Sequence, residues 1–195
     1  MCYATDSATQ SIGKNQLIEN CILLQIYIFL LNEYAHMLNV FVICTGNSCR
    51  SVMGEALINH LGQSRIKAFS AGSHPIGRIN TGALATLKRH NLPTEGYQSQ
   101  SWEDFEDTAM DIVITVCDNA AGETCPVYLS QAVRAHWGVS DPGHVEGSDE
   151  DKIAAFEQTF ATLKLRVEKM LQLSLETMPK DQLTTELNTI GKLTA

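Results

Sequence analysis

The feature that most constrains the fold is a short apolar strand that runs directly into a tight turn and then into a helix. Residues 40–44 read VFVIC, an apolar and β-branched run typical of a buried parallel strand. Residues 51–61 carry apolar side chains at helical spacing. The connecting residues 44–51 read CTGNSCRS. This order predicts a turn at the carboxyl end of a parallel strand, where α/β sheets bind ligands.

The rest of the chain repeats this alternation of strands and helices. Three further strands are predicted at residues 66–70, 112–116 and 133–137, and helices at residues 80–90 and 149–173. The long helix has an apolar stripe made of Ile153, Phe156, Phe160, Leu163, Val167 and Met170. A short helix at residues 102–105 and a last one around residues 183–190 complete the pattern. We therefore predict an α/β fold, a four-stranded parallel sheet with helices on both faces.

The chain divides into a main domain, residues 37–195, and an N-terminal extension, residues 1–36. The extension contains an apolar run at residues 21–31, shorter than the roughly 20 residues that span a bilayer. It has one basic residue, Lys14, and no good small-residue cleavage site, so it is a poor secretion signal. We expect a cytoplasmic chain with no membrane segment, reduced cysteines and a domain that begins at Met37.

The charge of the chain excludes some functions. The net charge is -8 and no block of Lys and Arg occurs, so a nucleic-acid surface is not expected. An acidic protein does not attract anions through its overall field. An anionic substrate would therefore need a local positive site. We expect a monomer.

Residues 44–51, the oxyanion loop, supply such a site. Gly46 and Asn47 tolerate the positive φ that lets successive backbone N–H groups turn inward, and the following helix adds its positive end. Arg50 adds a planar guanidinium that can bind two oxygens. The same field favours the thiolate of Cys44, a potential nucleophile. The alternative is that Cys44 is an ordinary buried cysteine. The expected oxyanion-binding residues are Thr45, Gly46, Asn47, Ser48, Cys49, Arg50 and Ser51.

Two other reactive side chains are predicted at the same edge of the sheet. Cys117 follows the third strand and Asp141 follows the fourth by a few residues. Because the carboxyl ends of parallel strands share one edge, both should lie near Cys44.

Three segments together resemble a known superfamily: CTGNSCRS, ITVCDNAAGETCP and AHWGVSDP. Residues 38–172 are similar to the low-molecular-weight tyrosine phosphatases, and in particular to their thiol-disulfide-coupled arsenate reductase branch. The resemblance extends to residues 71–75, and to the turn at residues 95–96 that precedes residues 101–102. It implies a phosphatase-like fold and the reduction of arsenate to arsenite, without a cofactor.

The resemblance also implies roles for individual residues. Cys44 attacks arsenate, Asp141 acts as the general acid, and Ser51 hydrogen-bonds the Cys44 thiolate. Cys117 then forms a disulfide with Cys44, and Cys125 takes over as a Cys117–Cys125 disulfide. Thioredoxin, or glutaredoxin with glutathione, would reduce that bond. Alternatively, Asp141 is a turn residue, and Cys117 and Cys125 are a core and a loop thiol without a role.

Two other functions remain open. A phosphatase acting on phosphotyrosine or small phosphate esters needs only Cys44, Arg50 and Asp141, but Gly143-His144 follows Asp141-Pro142 where tyrosine phosphatases usually carry an aromatic wall. The third hypothesis is a non-catalytic regulator that only binds an oxyanion or a metal. Four cysteines at 44, 49, 117 and 125 could suggest zinc. Their spacings are four and seven residues, the second wider than usual, and Arg50 opposes a cation, so no metal site is expected.

Overall fold

A four-stranded parallel sheet forms the centre of the fold, as predicted. The computed structural model describes residues 37–124 and 126–195. The strands are β1 (Leu38–Cys44), β2 (Ile66–Gly72), β3 (Ile112–Thr115) and β4 (Val133–His136), in the order β2-β1-β3-β4. Every pairing in this sheet is parallel. The apolar runs that predicted these strands are its buried centre, with Val40, Phe41, Val42 and Ile43 almost fully buried.

Five helices connect and cover the strands in the described part of the chain. They are α1 (Arg50–Gly62), α2 (Thr81–Arg89), α3 (Asp118–Gly122), α4 (Asp149–Met170) and α5 (Lys180–Ile190). Short 3-10 turns lie at Gln63–Arg65, Trp102–Phe105, Val127–Leu129 and Pro142–His144.

Alternating side chains of β1 show that both faces of the sheet are covered. Val42 contacts α1 so closely that a Cβ on Gly54 would lie 3.0 Å from it. Phe41 points to the opposite face, where its ring packs 4.9 Å from that of Phe105. Phe69, the β2 partner of Phe41, contacts the same Phe105 ring. These contacts place α1 on one face and the Trp102–Phe105 turn on the other.

Helix α5 covers the outer edge of β4. The His136 backbone N–H donates to the Asn188 side chain at 3.0 Å, and the indole of Trp137 donates to the Leu187 carbonyl at 2.8 Å. An uncovered edge strand would leave such donors unpaired. Trp137 is thus a packing residue.

Helix α4 begins at the predicted residue, Asp149, but ends earlier than predicted and buries less of its apolar stripe. It begins with a capping box between Ser148 and Asp151 and ends at Met170, not at residue 173. Ile153 was predicted to belong to its buried stripe, and this is wrong because 47% of its surface is exposed. Ile153 instead lines a groove between α4 and α2, to which α2 contributes Thr81, Gly82, Ala85 and Arg89. The apolar stripe is buried from Phe156 onward.

Two predictions fall outside the described residues: the extension at residues 1–36 and the relay thiol Cys125. In the described ranges, 37–124 and 126–195, no helix is long and apolar enough to span a bilayer.

Candidate active site

Three strand ends bring the predicted reactive residues to one edge of the sheet. Cys44 is the last residue of β1, opposite Gly72 of β2. Thr115, the last residue of β3, pairs with Ile43 on one side and with His136 of β4 on the other. Cys117 lies two residues beyond Thr115, and the segment after β4 leads to Asp141. The structure therefore brings Cys44, Cys117 and Asp141 together, as the topology predicted.

The Cys44 sulfur is buried and held by two contacts from its own loop. The backbone N–H of Asn47 donates to it at 3.1 Å, and the Ser51 hydroxyl lies 3.0 Å away. The loop turns at Asn47, whose φ is +41°. Gly46, which also tolerates positive φ, does not adopt it. An asparagine suffices there, since it tolerates the left-handed region better than most residues.

The buried Asn47 side chain fixes the direction of these hydrogen bonds. Its oxygen accepts from the Gln100 backbone N–H at 2.8 Å, so its NH2 group must be the donor to Ser51 at 3.0 Å and to Ser70 at 2.9 Å. Because the Ser51 oxygen accepts from Asn47, its own proton is free to point at the Cys44 sulfur. This orientation suits a sulfur that carries negative charge.

The same network continues to a carboxyl group that the sequence analysis missed. The Ser70 hydroxyl donates to Glu55 at 2.6 Å. Burial raises the pKa of Glu55 to about 7, against the opposing effect of the Ser70 hydrogen bond. Glu55 lies five residues after Arg50 on α1, and no local pattern links it to Ser70. Only the packing of α1 against β2 brings the two residues together.

Gly72 is needed because the oxyanion loop passes directly over it. A Cβ at this position would lie 2.4 Å from the Thr45 carbonyl oxygen and 3.0 Å from the Asn47 nitrogen. Its N–H donates to the Gln100 carbonyl at 2.9 Å. The close approach of two backbones excludes any side chain here.

Cys49 is buried in the loop and is a poor nucleophile. Burial raises its pKa far above the ordinary thiol range, and the nearby Asp141 charge raises it further, while Arg50 opposes. Cys49 thus remains a neutral thiol, in agreement with a structural role.

Arg50 and Asp141 form an ion pair at the mouth of the loop. One guanidinium nitrogen donates to the Asp141 carboxylate at 2.6 Å and another to the Val139 carbonyl at 3.1 Å. The second oxygen of Asp141 accepts from the Gly143 N–H at 3.0 Å. Asp141 therefore caps the turn that follows it and also pairs with Arg50. The two roles are compatible.

Arg166 of α4 holds the segment before Asp141 in place through hydrogen bonds to backbone carbonyls. This buried guanidinium donates to the carbonyls of Trp137, Gly138 and Leu193 at 2.8, 3.2 and 2.9 Å. Burial lowers the pKa of Arg166. The sequence analysis did not single out Arg166, because its helical position lies among ordinary surface charges and its partners are backbone carbonyls.

Cys117 is a second buried thiol beside the oxyanion loop. It is 3% exposed, and its sulfur lies 3.5 Å from the hydroxyl of Thr45, the residue after Cys44. It stands immediately before the five-residue helix α3 and accepts from the Ala120 N–H at 3.5 Å. A contact of 3.0 Å between His136 and Asp118 connects α3 to the sheet. Cys44, Cys49 and Cys117 are all free thiols.

A cavity of about 450 Å³ opens above the loop. Of the predicted oxyanion-binding residues, Asn47 and Ser51 lie beneath it, while the others line it: Thr45, Gly46, Ser48, Cys49 and Arg50. The remaining walls come from Cys44, His74, Ile76, Arg78, Asn80, Asn119, Asp141, Gly143 and His144. A second cavity of about 460 Å³ contains Cys117 and shares Arg50 and Asp141 with the first.

The described residues contain no group of three or more His, Cys, Asp or Glu side chains placed to hold a metal ion. Cys125, which belongs to the four-cysteine set weighed as a zinc site, lies outside them.

Comparisons with known proteins agree with this geometry. An arsenate reductase of Halalkalibacterium halodurans is 34% identical over 119 residues, 61% of this chain and 84% of that protein. An arsenate reductase solved in a phosphate-binding state superposes with a TM-score of 0.59 and 27% identity, over 69% of this chain and 97% of that one. A thioredoxin-dependent arsenate reductase of Corynebacterium glutamicum superposes with a TM-score of 0.54 and 26% identity, over 73% of this chain and 66% of that one.

The model of one protein family matches most of the described domain. It is that of the low molecular weight phosphotyrosine protein phosphatases, and it covers residues 39–183. The predicted fold class is confirmed by this match and by the sheet order β2-β1-β3-β4. The extent of this match, together with the loop that holds Cys44 and the strand order, shows the family. The chain belongs to the low-molecular-weight phosphotyrosine protein phosphatase family.

Proposed function

We propose that the protein is a cytoplasmic arsenate reductase that uses Cys44 as its nucleophile and Cys117 as its first resolving thiol. The observation that carries the proposal is the buried Cys117 sulfur, 3.5 Å from the Thr45 hydroxyl at the rim of the Cys44 loop. A hydrolase of this kind needs one thiol, whereas a reductase must deliver two electrons to arsenic and so needs a second. The arsenate reductases among its relatives support the same reaction.

The first step forms a bond between the Cys44 sulfur and arsenic. The amide groups of the loop and the Arg50 guanidinium hold the arsenate oxygens. The hydroxyl of Ser51 and the N–H of Asn47, at 3.0 and 3.1 Å from the sulfur, stabilise the thiolate before attack. One arsenate oxygen leaves as Asp141 supplies a proton to it. Since Asp141 is paired with Arg50, an oxyanion that binds Arg50 also releases the acid for this task.

The second step reduces arsenic. The Cys117 thiolate attacks the Cys44 sulfur, the sulfur–arsenic bond breaks, and its electron pair stays on arsenic, which leaves as arsenite. The two thiols have then lost two electrons and form the Cys44–Cys117 disulfide. Cys125 attacks the Cys117 sulfur, which frees Cys44 and gives the Cys117–Cys125 disulfide. The short helix α3, with its small residues Ala120, Ala121 and Gly122, is a segment that can rearrange to join these sulfurs.

The reductant that resets the enzyme is a small dithiol protein or glutathione. We propose thioredoxin, or glutaredoxin with glutathione, supplied with electrons by NADPH. The thioredoxin dependence of the Corynebacterium glutamicum neighbour supports the first of these.

The cavity favours a small inorganic anion over phosphotyrosine. In the part of the chain that the structure describes, its walls hold no Phe, Tyr or Trp side chain. Tyrosine phosphatases would need an aromatic surface to bind the substrate ring. Beside Asp141, the chain places Gly143 and the imidazole of His144 instead.

Substitution of Cys117 with serine separates a reductase from a phosphatase. We expect Cys117→Ser to lose thiol-coupled arsenate turnover and to keep any weak hydrolysis of an aryl phosphate, because hydrolysis uses only Cys44, Arg50 and Asp141. Cys44→Ser should lose both activities. The measurement is arsenate-dependent NADPH consumption, with thioredoxin and glutaredoxin relays supplied separately, alongside an aryl phosphate assay.

Cys49→Ser is the matched comparison, since it also removes a buried free thiol. Because Cys49 lines the oxyanion cavity and is not part of the relay, any effect should fall equally on arsenate turnover and on aryl phosphate hydrolysis. Unchanged arsenate turnover in Cys117→Ser would exclude Cys117 as the resolving thiol. A wild-type protein that binds arsenate but turns over neither substrate would instead be a regulator.

A further inference from the structure

In the part of the chain that the structure describes, one of the arginines at the oxyanion cavity has no partner. Two arginines line the cavity, Arg50 and Arg78. The Arg50 guanidinium already donates to the Asp141 carboxylate and the Val139 carbonyl, so its charge is offset. Within residues 37–124 and 126–195, no hydrogen bond or ion pair engages the exposed Arg78 side chain. Among the described residues that line the cavity, Arg78 is therefore the arginine whose charge is not offset when a dianion approaches the Cys44 thiolate and the Asp141 carboxylate.

The backbone that carries Arg78 is tied to the oxyanion loop on both sides. Before Arg78, the N–H of Ile76 donates to the Gly46 carbonyl at 3.1 Å. After it, the N–H of Asn80 donates to the Ser48 carbonyl at 2.8 Å. The base of the Arg78 side chain is thus held at the rim of the cavity, while its guanidinium remains free to move.

Ser99 gives a further link at the same place. Its hydroxyl donates to the Gly46 carbonyl and accepts from the N–H of Gly77, both at 3.1 Å. Gly77 precedes Arg78 and has a φ of +74°, which turns the chain at this point. Three separate contacts therefore fix the Arg78 backbone relative to the residues that would bind the anion.

We propose that Arg78 is a second substrate-binding arginine and sets the preference for inorganic oxyanions over phosphate esters. This inference rests on the proposed function. The loop amides and Arg50 hold the inner oxygens, and Arg78 contacts the oxygen directed out of the loop. In a phosphate ester that outer position carries the organic group, which offers a guanidinium no comparable charge. Arg78 therefore stabilises bound arsenate or inorganic phosphate more than it stabilises an ester.

The test compares Arg78→Gln and Arg78→Lys with Lys88→Gln in the full-length, reduced protein. Lys88 is exposed on α2 and does not line the cavity, so its variant removes the same charge at a distance. Binding of inorganic phosphate is measured by calorimetry, and KM and kcat are measured for arsenate and for an aryl phosphate.

We expect Arg78→Gln to raise the phosphate Kd and the arsenate KM by roughly fivefold to tenfold, as for loss of a partly exposed charge-assisted hydrogen bond. The KM for the aryl phosphate should change little, and Arg78→Lys should recover part of the lost affinity.

Three results would overturn the inference: an unchanged phosphate Kd in Arg78→Gln, an equal loss in Lys88→Gln, or an equal rise in KM for the aryl phosphate. The phosphate measurement is independent of turnover. If the wild type reduces no arsenate but its phosphate affinity still depends on Arg78, the proposed reduction fails and the assignment of Arg78 as an anion-binding residue stands.

Discussion

Replacement of Asn47 with alanine should both destabilise the protein and weaken its nucleophile. The buried amide makes three hydrogen bonds, to Gln100, Ser51 and Ser70. At about 1 kcal/mol each, their loss lowers the free energy of unfolding by about 3 kcal/mol. The φ of +41° costs an alanine about 1 kcal/mol more. We therefore expect a total of about 4 kcal/mol, measured by urea unfolding.

The loss of activity in Asn47→Ala follows from the same geometry. Without the amide donor, the Ser51 hydroxyl is no longer directed at the Cys44 sulfur, and kcat/KM for arsenate should fall by roughly tenfold or more. Asn59→Ala is the matched control, because Asn59 makes two hydrogen bonds to Ala68 away from the site. It should lose about 2 kcal/mol of stability and no activity. A loss below about 1 kcal/mol in Asn47→Ala would refute the reasoning.

Two other predictions concern the base of the loop. The raised pKa of Glu55 means that the folded protein holds a proton which the unfolded chain releases, so the stability it confers is full below about pH 4.5 and is lost as the pH rises to about 7. The difference in unfolding free energy between wild type and Glu55→Gln should change by about 1–3 kcal/mol over this range, and a pH-independent difference would contradict the assignment. Gly72→Ala should lower the free energy of unfolding by about 1–3 kcal/mol and the activity by roughly tenfold, because the added Cβ would meet the Thr45 carbonyl. Gly122→Ala, which meets no atom within 4 Å, is its control for stability, and an equal loss of stability in the two variants would exclude the steric cause.

The sheet could be predicted from the sequence because its strands are buried on both faces. Continuous apolar runs such as residues 40–44 and 112–116 leave little alternative to a central parallel strand. Their order along the chain, with helices between them, then determined which ends would meet. The exposure of Ile153 could not be predicted, because it depends on how α2 packs beside α4, which leaves a groove at Ile153.

The reactive residues of the site were visible in the sequence, and the residues that support them were not. Cys44 and Arg50 are adjacent to a strand–turn–helix signal, and Cys117 and Asp141 follow strand ends. Glu55 and Arg166, in contrast, act through partners on other elements, and their helical positions resemble those of ordinary surface charges. Their recognition required the packing of α1 against β2 and of α4 against the segment after β4.

The most direct test of the redox account is the fate of the Cys117 sulfur in a single turnover. Reduced Cys125→Ser protein, which cannot pass the disulfide onward, is mixed with an equimolar amount of arsenate, quenched in acid and digested for mass spectrometry. We expect arsenite release together with a peptide pair joined through Cys44 and Cys117. Arsenite released while Cys117 remains a free thiol would contradict it.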